Sequence, residues 1–500
     1  DLKRTLADVQ AVLLRHAAAL AATPAKRAAA AVSISATPQG QLIDSGPGEL
    51  EIAVSDDGHN VLIAGNAGLF ASIDGGTTFA KPILSGCPHR CLGDPSVGIG
   101  ASGNFYYSWM PFSSPESSTG RNASRVSVAV SGADPRTLRY RSDAATCAGG
   151  VCDQPHLAAD RYHGGPSGDR VYVVYRHFKD KNEKLPPTPT LTCSADGAQT
   201  WLPVQQIFDS SADFPRITAA PDGNLFVIFV AGKAIKLAKY SSCDSGLKMQ
   251  DGYPVNVGTF TQPVCPISGL DRCNNGNGLS SPTVAVDEIN PNHIFAAWAT
   301  STSAGKNEDI VVADSTDGGK TFTRGIRANA AVAARRFMPW IVTDGPTAYV
   351  NWYDRRTSTH KANDLTRYYG ALITVENGGL TARESDISKV DEPQCANLWP
   401  AAPRSDADAR SCSLQPEFAG RCHGTEIACN FNSFCAGGRQ CETGEGVPKF
   451  GDYNGLAGRK GRRYSAWSSA RPVVQPGEST PADPKDLKRL HIYFLVEQVR

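Results

Sequence analysis

The chain repeats one pattern of polar and apolar positions over most of its length. Each copy starts with a polar residue, often followed by proline, and continues through a short apolar run. An Asp- or Gly-containing turn comes next, followed by an aromatic-rich stretch in which apolar and polar residues alternate. Alternation with a period of two predicts two β-strands joined by a turn in each copy. Seven copies begin at Glu49, Asp94, Asp153, Asp213, Ser280, Arg336 and Phe450.

Further strand-like stretches follow most copies. They begin at Arg125, Pro189, Glu308 and Thr366, and LKRLHIYFLVEQV closes the chain. About four strands per unit, at a spacing of roughly 40 to 65 residues, is typical of a β-propeller, in which each blade is a four-stranded sheet. We therefore predict an all-β fold, a seven-bladed β-propeller with six blades as the alternative. A single β-sandwich would contain far fewer strands.

Two segments depart from the repeat. Leu2, Leu6, Val9 and Leu13 recur at helical spacing, which predicts an amphipathic helix over residues 3–22 within an N-terminal extension, residues 1–40. Residues 376–447 contain six cysteines and almost no strand periodicity, so we interpret them as a disulfide-rich insertion. Blades one to six then occupy residues 45–375, and residues 448–500 form the last blade.

Cysteine usage predicts an oxidising compartment. The chain has 14 cysteines, an even number, and most of them lie in short-range couples. Disulfides that close loops would explain this spacing and favour a secreted or periplasmic protein, although sequence leaves their connectivity open. The chain begins at Asp1 without a signal-peptide pattern, as expected of a processed form. The couples are Cys87/Cys91, Cys147/Cys152, Cys265/Cys273, Cys422/Cys429 and Cys435/Cys441.

Charge and composition exclude several classes of partner. The 50 Lys and Arg residues balance 49 Asp and Glu residues, so the basic surface typical of nucleic-acid and membrane-surface proteins is not expected. The sequence also contains no apolar run long enough to span a membrane. We expect no cofactor, and the cysteines lack the paired spacing of zinc modules. A structural calcium ion held by acidic loop residues stays open.

A sharper motif occurs three times. Residues 72–79 (SIDGGTTF), 194–201 (SADGAQTW) and 315–322 (STDGGKTF) follow the pattern Ser-x-Asp-x-Gly-x-Thr-Trp/Phe, except for Ala198 at the glycine position. This motif resembles the Asp-box of bacterial neuraminidase repeats (BNR), found in sialidase-like propellers. The resemblance covers roughly residues 45–375 and 448–500. It implies that the boxes form turns between outer strands, away from a catalytic face.

Propeller geometry predicts where functional residues converge. The first strand of each blade begins, and the second ends, at the same face beside the central channel. Strand-one beginnings there are Asp94, Asp153, His156, Asp213, Arg216, Arg336, Asp452 and Tyr453. Strand-two ends are Arg176, His177, Tyr353, Asp354, Arg355, Arg356 and Arg471. Guanidinium groups bind carboxylates or sulfates, whereas carboxylates, His and Tyr serve as acids, bases or nucleophiles.

Candidate roles follow from this chemistry and from the resemblance. Sialidases use an arginine triad, a Tyr nucleophile and an Asp acid, which implies a triad of Arg216, Arg355 or Arg356, and Arg471. The Arg-Ile-Pro phrase that precedes the first box in that family has its nearest match here in FPRI, after two boxes. The catalytic candidates are Tyr453, Asp94, Asp153 and His177. The substrate-binding candidates are Arg176, Arg216, Arg355, Arg356, Arg471, Asp213, Asp354 and Asp452.

These residues predict a secreted carbohydrate-active enzyme whose partner is an acidic glycan or glycoconjugate. It would be a glycosidase if Tyr453 is the nucleophile, or a polysaccharide lyase if His177 or Tyr453 removes a proton beside a uronate. The alternative is a non-catalytic propeller that binds glycan or protein. A third possibility is that the insertion, residues 376–447, itself binds a protein partner.

Overall fold

The computed structural model is an all-β protein. It describes residues 40–45, 48–66, 68–88, 91, 93–111, 124–165, 168–180, 185–209, 212–263, 282–303, 307–357, 365–393, 420–422, 428–429, 441–442, 453–469 and 491–499. The predicted helix over residues 3–22 and the candidates Asp452 and Arg471 lie outside these ranges, as does most of the insertion.

The described strands form the seven blades of a β-propeller, which confirms the predicted fold. The chain enters with β1 (Gln41–Ser45), which belongs to the seventh blade. Blade one contains β2 (Glu51–Val54), β3 (Val61–Gly65) and β4 (Gly68–Ser72). Blade two contains β5 (Ile83–Ser85), β6 (Ser96–Ile99), β7 (Phe105–Trp109), β8 (Ser124–Ser131) and β9 (Thr137–Cys147).

The next three blades each have four consecutive antiparallel strands. Blade three contains β10 (Val151–Gly165), β11 (Gly168–Phe178), β12 (Thr188–Ser194) and β13 (Gln205–Gln206). Blade four contains β14 (Ala212–Ala219), β15 (Leu225–Ala231), β16 (Ala234–Tyr240) and, after a short 3₁₀ turn at Cys243–Ser245, β17 (Val255–Thr259). Blade five contains β18 (Thr283–Val286), β19 (Ile294–Ser303), β20 (Asn307–Ser315) and β21 (Ile326–Arg327).

The last two blades flank the insertion. Blade six contains β22 (Arg336–Asp344), β23 (Thr347–Asp354), β24 (Leu365–Glu376), β25 (Gly379–Asp386) and the short β26 (Glu392–Pro393). Within the insertion, β27 (Gly420–Cys422), β28 (Ala428–Cys429) and β29 (Cys441–Glu442) pair with one another. Blade seven contains β30 (Gly455–Arg459), β31 (Arg462–Ser469) and β32 (His491–Gln498).

The hydrophobic core lies between neighbouring blades. One cluster joins Tyr172 and Leu191 of blade three to Ile217 and Phe229 of blade four, and similar clusters fill the other interfaces. Because the middle strands of a blade are covered on both faces, their sequences are continuous apolar runs, such as LFVIFV in β15. This two-sided burial explains why the repeat was visible in the sequence.

The ring closes through strand β1. Residues 41–45 pair with β32 as the outermost strand of blade seven, so the two ends of the propeller share one sheet. Phe79 of blade one packs edge-on against Phe494 of blade seven, with ring centroids 4.9 Å apart. The inner strands β2 and β30 are in contact, which completes the circle of inner strands.

The three Ser-x-Asp-x-Gly-x-Thr-Trp/Phe motifs fold into the same turn, each after the third strand of its blade. In the first, the Ser72 hydroxyl donates to Asp74 Oδ1 at 2.7 Å, and Asp74 Oδ1 accepts the Thr78 amide at 2.9 Å. The equivalent bonds recur in blades three and five. The aromatic residue that ends the motif packs on the preceding blade; Trp201, for example, donates to the Ser142 hydroxyl at 2.8 Å. The motif therefore stabilises contacts between blades.

Disulfides are present in the described residues. Cys87–Cys91 and Cys147–Cys152 confirm two of the predicted short-range couples. Cys193–Cys243 was not predicted, because it joins blades three and four across 50 residues. Among the described residues, no helix is long and apolar enough to cross a membrane.

Candidate functional site at the mouth of the channel

The seven inner strands surround a cavity of about 200 Å³ on the propeller axis. Its waist is lined by small and apolar residues such as Ala53, Gly98, Ala158 and Ala285. We call the end at which the inner strands begin the channel mouth, and the end at which they finish the channel exit. Charged and aromatic side chains line the cavity only near these two ends.

The backbone at the channel mouth has an unusual conformation that recurs from blade to blade. Non-glycine residues adopt left-handed φ angles just before β2 and β6 and at the bulges near the beginnings of β10, β14 and β22. Pairing with the second strand also shifts register between Asp153 and His156 and between Asp213 and Arg216. Such bulges re-aim side chains, and here they bring His156, Arg216 and Trp340 to the cavity, which Glu51 also lines. The left-handed residues are Glu49 (63°), Asp94 (42°), Gln154 (45°), Phe214 (53°) and Met338 (55°).

Glu51 of blade one and His156 of blade three form a buried pair. Glu51 Oε2 accepts hydrogen bonds from the Ser96 hydroxyl at 2.5 Å and the Val97 amide at 3.1 Å. Glu51 Oε1 lies 3.5 Å from His156 Nε2. Burial raises the pKa of Glu51 to about 8. Burial, helped by the charge of Arg216, lowers the pKa of His156 well below its usual value, so both side chains are largely uncharged at neutral pH.

Arg216 lies against two aromatic rings beside this pair. Its guanidinium carbon is 5.1 Å from the centre of the Tyr453 ring and 5.9 Å from that of Trp340. The Trp340 ring in turn contacts His156, with centroids 5.4 Å apart. Arg216 is only 2% exposed, so its positive charge is held inside the mouth at low dielectric, where it acts strongly on its neighbours.

Tyr453 joins this group to Asp94. The Tyr453 hydroxyl donates to the carbonyl oxygen of Pro95, the residue after Asp94, at 2.9 Å. Burial and the nearby Glu49, Asp94 and Glu51 carboxylates raise the pKa of Tyr453 well above its usual value, and Arg216 opposes them. The phenol is therefore protonated and has carboxylates close by that could receive its proton.

A second group of candidates, the side cluster, lies on blades three and four. Arg176 Nε and Nη2 donate to the two carboxylate oxygens of Asp213 at 2.6 and 3.0 Å, and Nη1 donates to Asp153 at 2.5 Å. The guanidinium carbon of Arg176 also lies 4.6 Å from the centre of the Phe214 ring. His177 follows on the same strand, and burial together with Lys179 lowers its pKa.

A third group is an ion-pair network in blade six. Asp354 is fully buried and accepts hydrogen bonds from Arg336 Nε and Arg356 Nη2, both at 2.7 Å. Arg356 also donates to Glu384 at 2.7 Å. Arg355 is 3% exposed and donates to the Thr366 hydroxyl at 3.3 Å. These contacts pair the charges of Asp354 and Arg356 with other side chains of blade six.

The structure thus sorts the candidates into three groups. Tyr453, Asp94 and Arg216 meet at the channel mouth; Asp153, Arg176 and Asp213 form the side cluster; and Asp354 and Arg356 belong to the blade-six network. Arg216 and Arg356 contact different sets of residues.

Sequence reasoning missed Glu49, Glu51, Asn66 and Trp340. Glu51 and Trp340 occupy the strand-one position of His156 and Arg216 in their own copies of the repeat. Aligning the copies on that position would have identified both residues. In the residues that the structure covers, no group of three or more His, Cys, Asp or Glu side chains could hold a metal ion.

Comparisons with solved structures found proteins of similar fold at low sequence identity. No protein-family model matches the sequence, and no curated protein matches it. A polysaccharide lyase described as an ulvan lyase is 12% identical with a TM-score of 0.42, over 69% of this chain and 87% of that chain. NanB sialidase of Streptococcus pneumoniae is 9% identical with a TM-score of 0.39, over 66% of this chain and 69% of that chain.

An α-L-arabinanase of Penicillium chrysogenum is also similar. It is 11% identical with a TM-score of 0.40, over 70% of this chain and 99% of that chain. At identities this low the likeness concerns the fold alone, and the chemistry of this chain rests on its own side chains.

Proposed function

We propose that the channel mouth is the active site of an enzyme that acts on an acidic glycan. One observation carries the proposal: Arg216, Tyr453 and Asp94 converge there with the carboxyl groups of Glu49 and Glu51. The buried guanidinium is 5.1 Å from the Tyr453 ring, and the Tyr453 hydroxyl is bonded to the residue that follows Asp94. An arginine, a tyrosine and carboxyl groups are the side chains needed to bind a carboxylate and cleave a glycosidic bond.

Retaining hydrolysis uses this set most directly. Arg216 pairs with the glycan carboxylate. The Tyr453 oxygen attacks the anomeric carbon as its proton passes to the Glu49 carboxylate or, in molecules in which Glu51 is ionised, to Glu51, and protonated Asp94 gives its proton to the departing glycosidic oxygen. Water then attacks the anomeric carbon, its proton goes to the Asp94 carboxylate, and the tyrosyl oxygen leaves and regains its own proton. The raised pKa of Glu51 suits an acid–base group that works near neutral pH.

β-Elimination is the second chemistry that the predicted residues allow. A base, either His177 or the Tyr453 phenolate formed when its proton passes to Glu49, would take the proton at carbon 5 of a uronate while the bond from carbon 4 to the glycosidic oxygen breaks. The leaving oxygen takes a proton, and the product carries a new carbon–carbon double bond. A lyase product absorbs ultraviolet light and a hydrolysis product has a free reducing end, so one reaction mixture distinguishes the two reactions.

The test is a turnover screen against sialosides and uronate polysaccharides. We expect cleavage by the unmodified protein and a loss of about 10²-fold or more in kcat for Tyr453→Phe. The matched control is Tyr464→Phe, because Tyr464 is also a buried blade-seven tyrosine that donates to a backbone carbonyl, that of Gly58, at 3.2 Å. Equal activity of the two variants would overturn the assignment of Tyr453.

The second candidate function is a non-catalytic propeller that binds glycan or protein. It is favoured by the burial of the mouth, where Glu51, His156, Arg216 and Tyr453 are all less than 9% exposed. Binding without turnover of any glycan in the screen would establish this alternative. If residues 376–447 bind a protein partner, their excision would abolish that binding and leave the propeller folded.

The proposed location of the protein is outside the cytoplasm, secreted or periplasmic. The disulfides in blades two to four support it, because structural disulfides persist in oxidising compartments. Expression with and without an export signal, followed by thiol titration, tests the proposal. Complete disulfide formation only on export supports it.

A further inference from the structure

Asn66 stands at the centre of a hydrogen-bond chain that sequence reasoning did not predict. It follows β3, the second strand of blade one. Its side-chain amide donates to Glu49 Oε2, and its side-chain oxygen accepts the Asp94 amide at 3.0 Å. Asp94 Oδ2 in turn accepts the Gln154 amide at 3.2 Å. One chain of bonds therefore links blades one, two and three at the channel mouth.

The chain connects three residues whose backbones are all left-handed. Glu49, Asp94 and Gln154 have φ angles of 63°, 42° and 45°. Non-glycine residues keep this conformation only where the surroundings hold them in it. Asn66 supplies such a restraint, because it bonds the side chain of Glu49 and the backbone of Asp94. The backbone amide of Asn66 donates to the Gly48 carbonyl at 3.0 Å, which holds Asn66 itself in place.

Two members of the chain face Tyr453. The Tyr453 hydroxyl is bonded to Pro95, so the position of Asp94 and the position of the phenol are coupled through one peptide unit. Glu49 and Asp94 also both act electrostatically on Tyr453. Movement of Asn66 would therefore change the distances from both carboxylates to the phenol.

We infer that Asn66 is a positioning residue, which holds Glu49 and Asp94 beside Tyr453 for the reaction at the channel mouth. This inference rests on the proposed function for its effect on turnover. Its geometric content, the placement of two carboxylates beside Tyr453, can be measured without turnover. A displacement of about 1 Å in a reacting group lowers the rate by about 10²-fold.

The experiment compares Asn66→Ala and Asn66→Asp with Asn329→Ala. Asn329 is the matched control, because it accepts the Ile310 amide at 2.8 Å and donates to Asp309 at 3.2 Å, both in blade five. We expect Asn66→Ala to lower kcat by about 10²-fold with little change in KM. We also expect it to shift the pH at which kcat rises or falls. Asn66→Asp keeps the acceptor for the Asp94 amide but replaces the donor to Glu49 with a carboxylate oxygen that repels it, so we expect a loss at least as large as that of Asn66→Ala. Asn329→Ala lowers the melting temperature only.

A second readout keeps the inference testable if the protein turns over no glycan. The NMR signals of the Tyr453 ring, assigned through Tyr453→Phe, should shift in Asn66→Ala and stay in place in Asn329→Ala. An unshifted Tyr453 signal, or an unchanged kcat and pH profile in a folded Asn66→Ala protein, overturns the role of Asn66. Absence of both turnover and glycan binding in the unmodified protein refutes the proposed function alone.

Discussion

The two ends of the channel are built from the same seven strands and differ in whether their charged side chains are paired. At the exit, ion pairs join four blades: Arg161 contacts Asp56 and lies 3.8 Å from Glu288, which accepts from Arg459 at 3.0 Å. At the mouth, a glutamic acid and a histidine lie together uncharged, and an arginine is packed between aromatic rings. Paired charges tie blades together, whereas unusual protonation states are typical of functional sites.

The backbone differs between the two ends as well. The exit is formed by turns between first and second strands, many of which have glycine at left-handed positions, such as Gly58 and Gly223. The mouth places Glu49, Asp94 and Gln154 in that conformation, at a cost of about 1 kcal/mol or more for each residue. Left-handed non-glycine residues in several blades, together with the uncharged Glu51, distinguish the mouth from the exit and support the proposal that the site lies there.

Removing the central carboxylate of the exit should have the largest effect on stability. Glu288→Ala leaves Arg161 and Arg459 without their shared partner, and we expect a loss of about 2 kcal/mol in the free energy of unfolding. The value lies below that for fully buried pairs because 23% of the Glu288 side chain is exposed. Urea unfolding measures it, with the exposed Glu376→Ala as control. Loss of glycan binding in Glu288→Ala would contradict the separation of the two ends.

Replacing Glu51 at the mouth should raise stability at high pH, whereas replacing Glu288 at the exit lowers it. The folded-state pKa of Glu51, about 8, lies above its ordinary value of 4.5, so Glu51 favours the folded state at low pH. That contribution is lost as pH rises from about 4.5 through 8. Glu51→Gln keeps the side chain neutral, and we expect it to unfold less readily than the unmodified protein at pH 9. Its rate of glycan cleavage should nevertheless fall.

Thermal melts between pH 5 and pH 9 test this expectation. The pH dependence of the melting temperature should be weaker in Glu51→Gln than in the unmodified protein. Identical slopes for the two proteins would mean that Glu51 is ionised in the folded state.

Two buried histidines extend the comparison. His293, which lies between Asp287 and Asp314 in blade five, has its pKa raised, first by the hydrogen bond to Asp314. Its contribution to stability is present below about pH 6.5 and is lost as pH rises through the raised value. His156 has a lowered pKa, so its protonation destabilises the fold as pH falls below its ordinary value.

NMR titration of the imidazole signals measures both groups. We expect His293 to titrate above its ordinary pKa, and His156 to stay neutral until the protein unfolds in acid. His293→Gln should lose more stability at pH 6 than at pH 9. If both histidines titrate near the ordinary pKa of histidine, His156 and His293 do not differ in their environments as proposed.

The fold was predictable because burial on both faces imposes the same apolar pattern on every blade. Elements without that pattern were missed. Strand β1 (QLIDS) is held mainly by pairing with β32, and β25 is polar and half exposed, so the sequence placed it within the insertion. The Cys193–Cys243 disulfide was not predicted because its two cysteines are 50 residues apart in sequence and meet only when two blades pack.

Only part of the site was predictable from the sequence. Counting strand beginnings located Arg216, Asp94 and Tyr453 at one end of the channel. The same rule could not separate Arg216 from Arg356, since Arg356 is neutralised by Asp354 and by Glu384, which lies 28 residues further along the chain. Ion pairing of this kind depends on which side chains face each other between strands, and a single sequence does not contain that information.

The smallest expected effect concerns the strain at the mouth itself. Gln154→Gly and Gln154→Ala both remove the same buried side chain and keep the amide that donates to Asp94, but only glycine relieves the left-handed strain. We therefore expect the free energy of unfolding of Gln154→Gly to exceed that of Gln154→Ala by about 0.5 to 1 kcal/mol. The control pair is Gln205→Gly and Gln205→Ala in β13, where the residue has no left-handed strain and glycine should be the less stable of the two. If Gln154→Gly also cleaves glycan more slowly than Gln154→Ala, the strain contributes to the arrangement of the reacting groups. A Gln154→Gly protein less stable than Gln154→Ala would show that Gln154 is held without strain, and the backbone contrast between the two ends of the channel would fail.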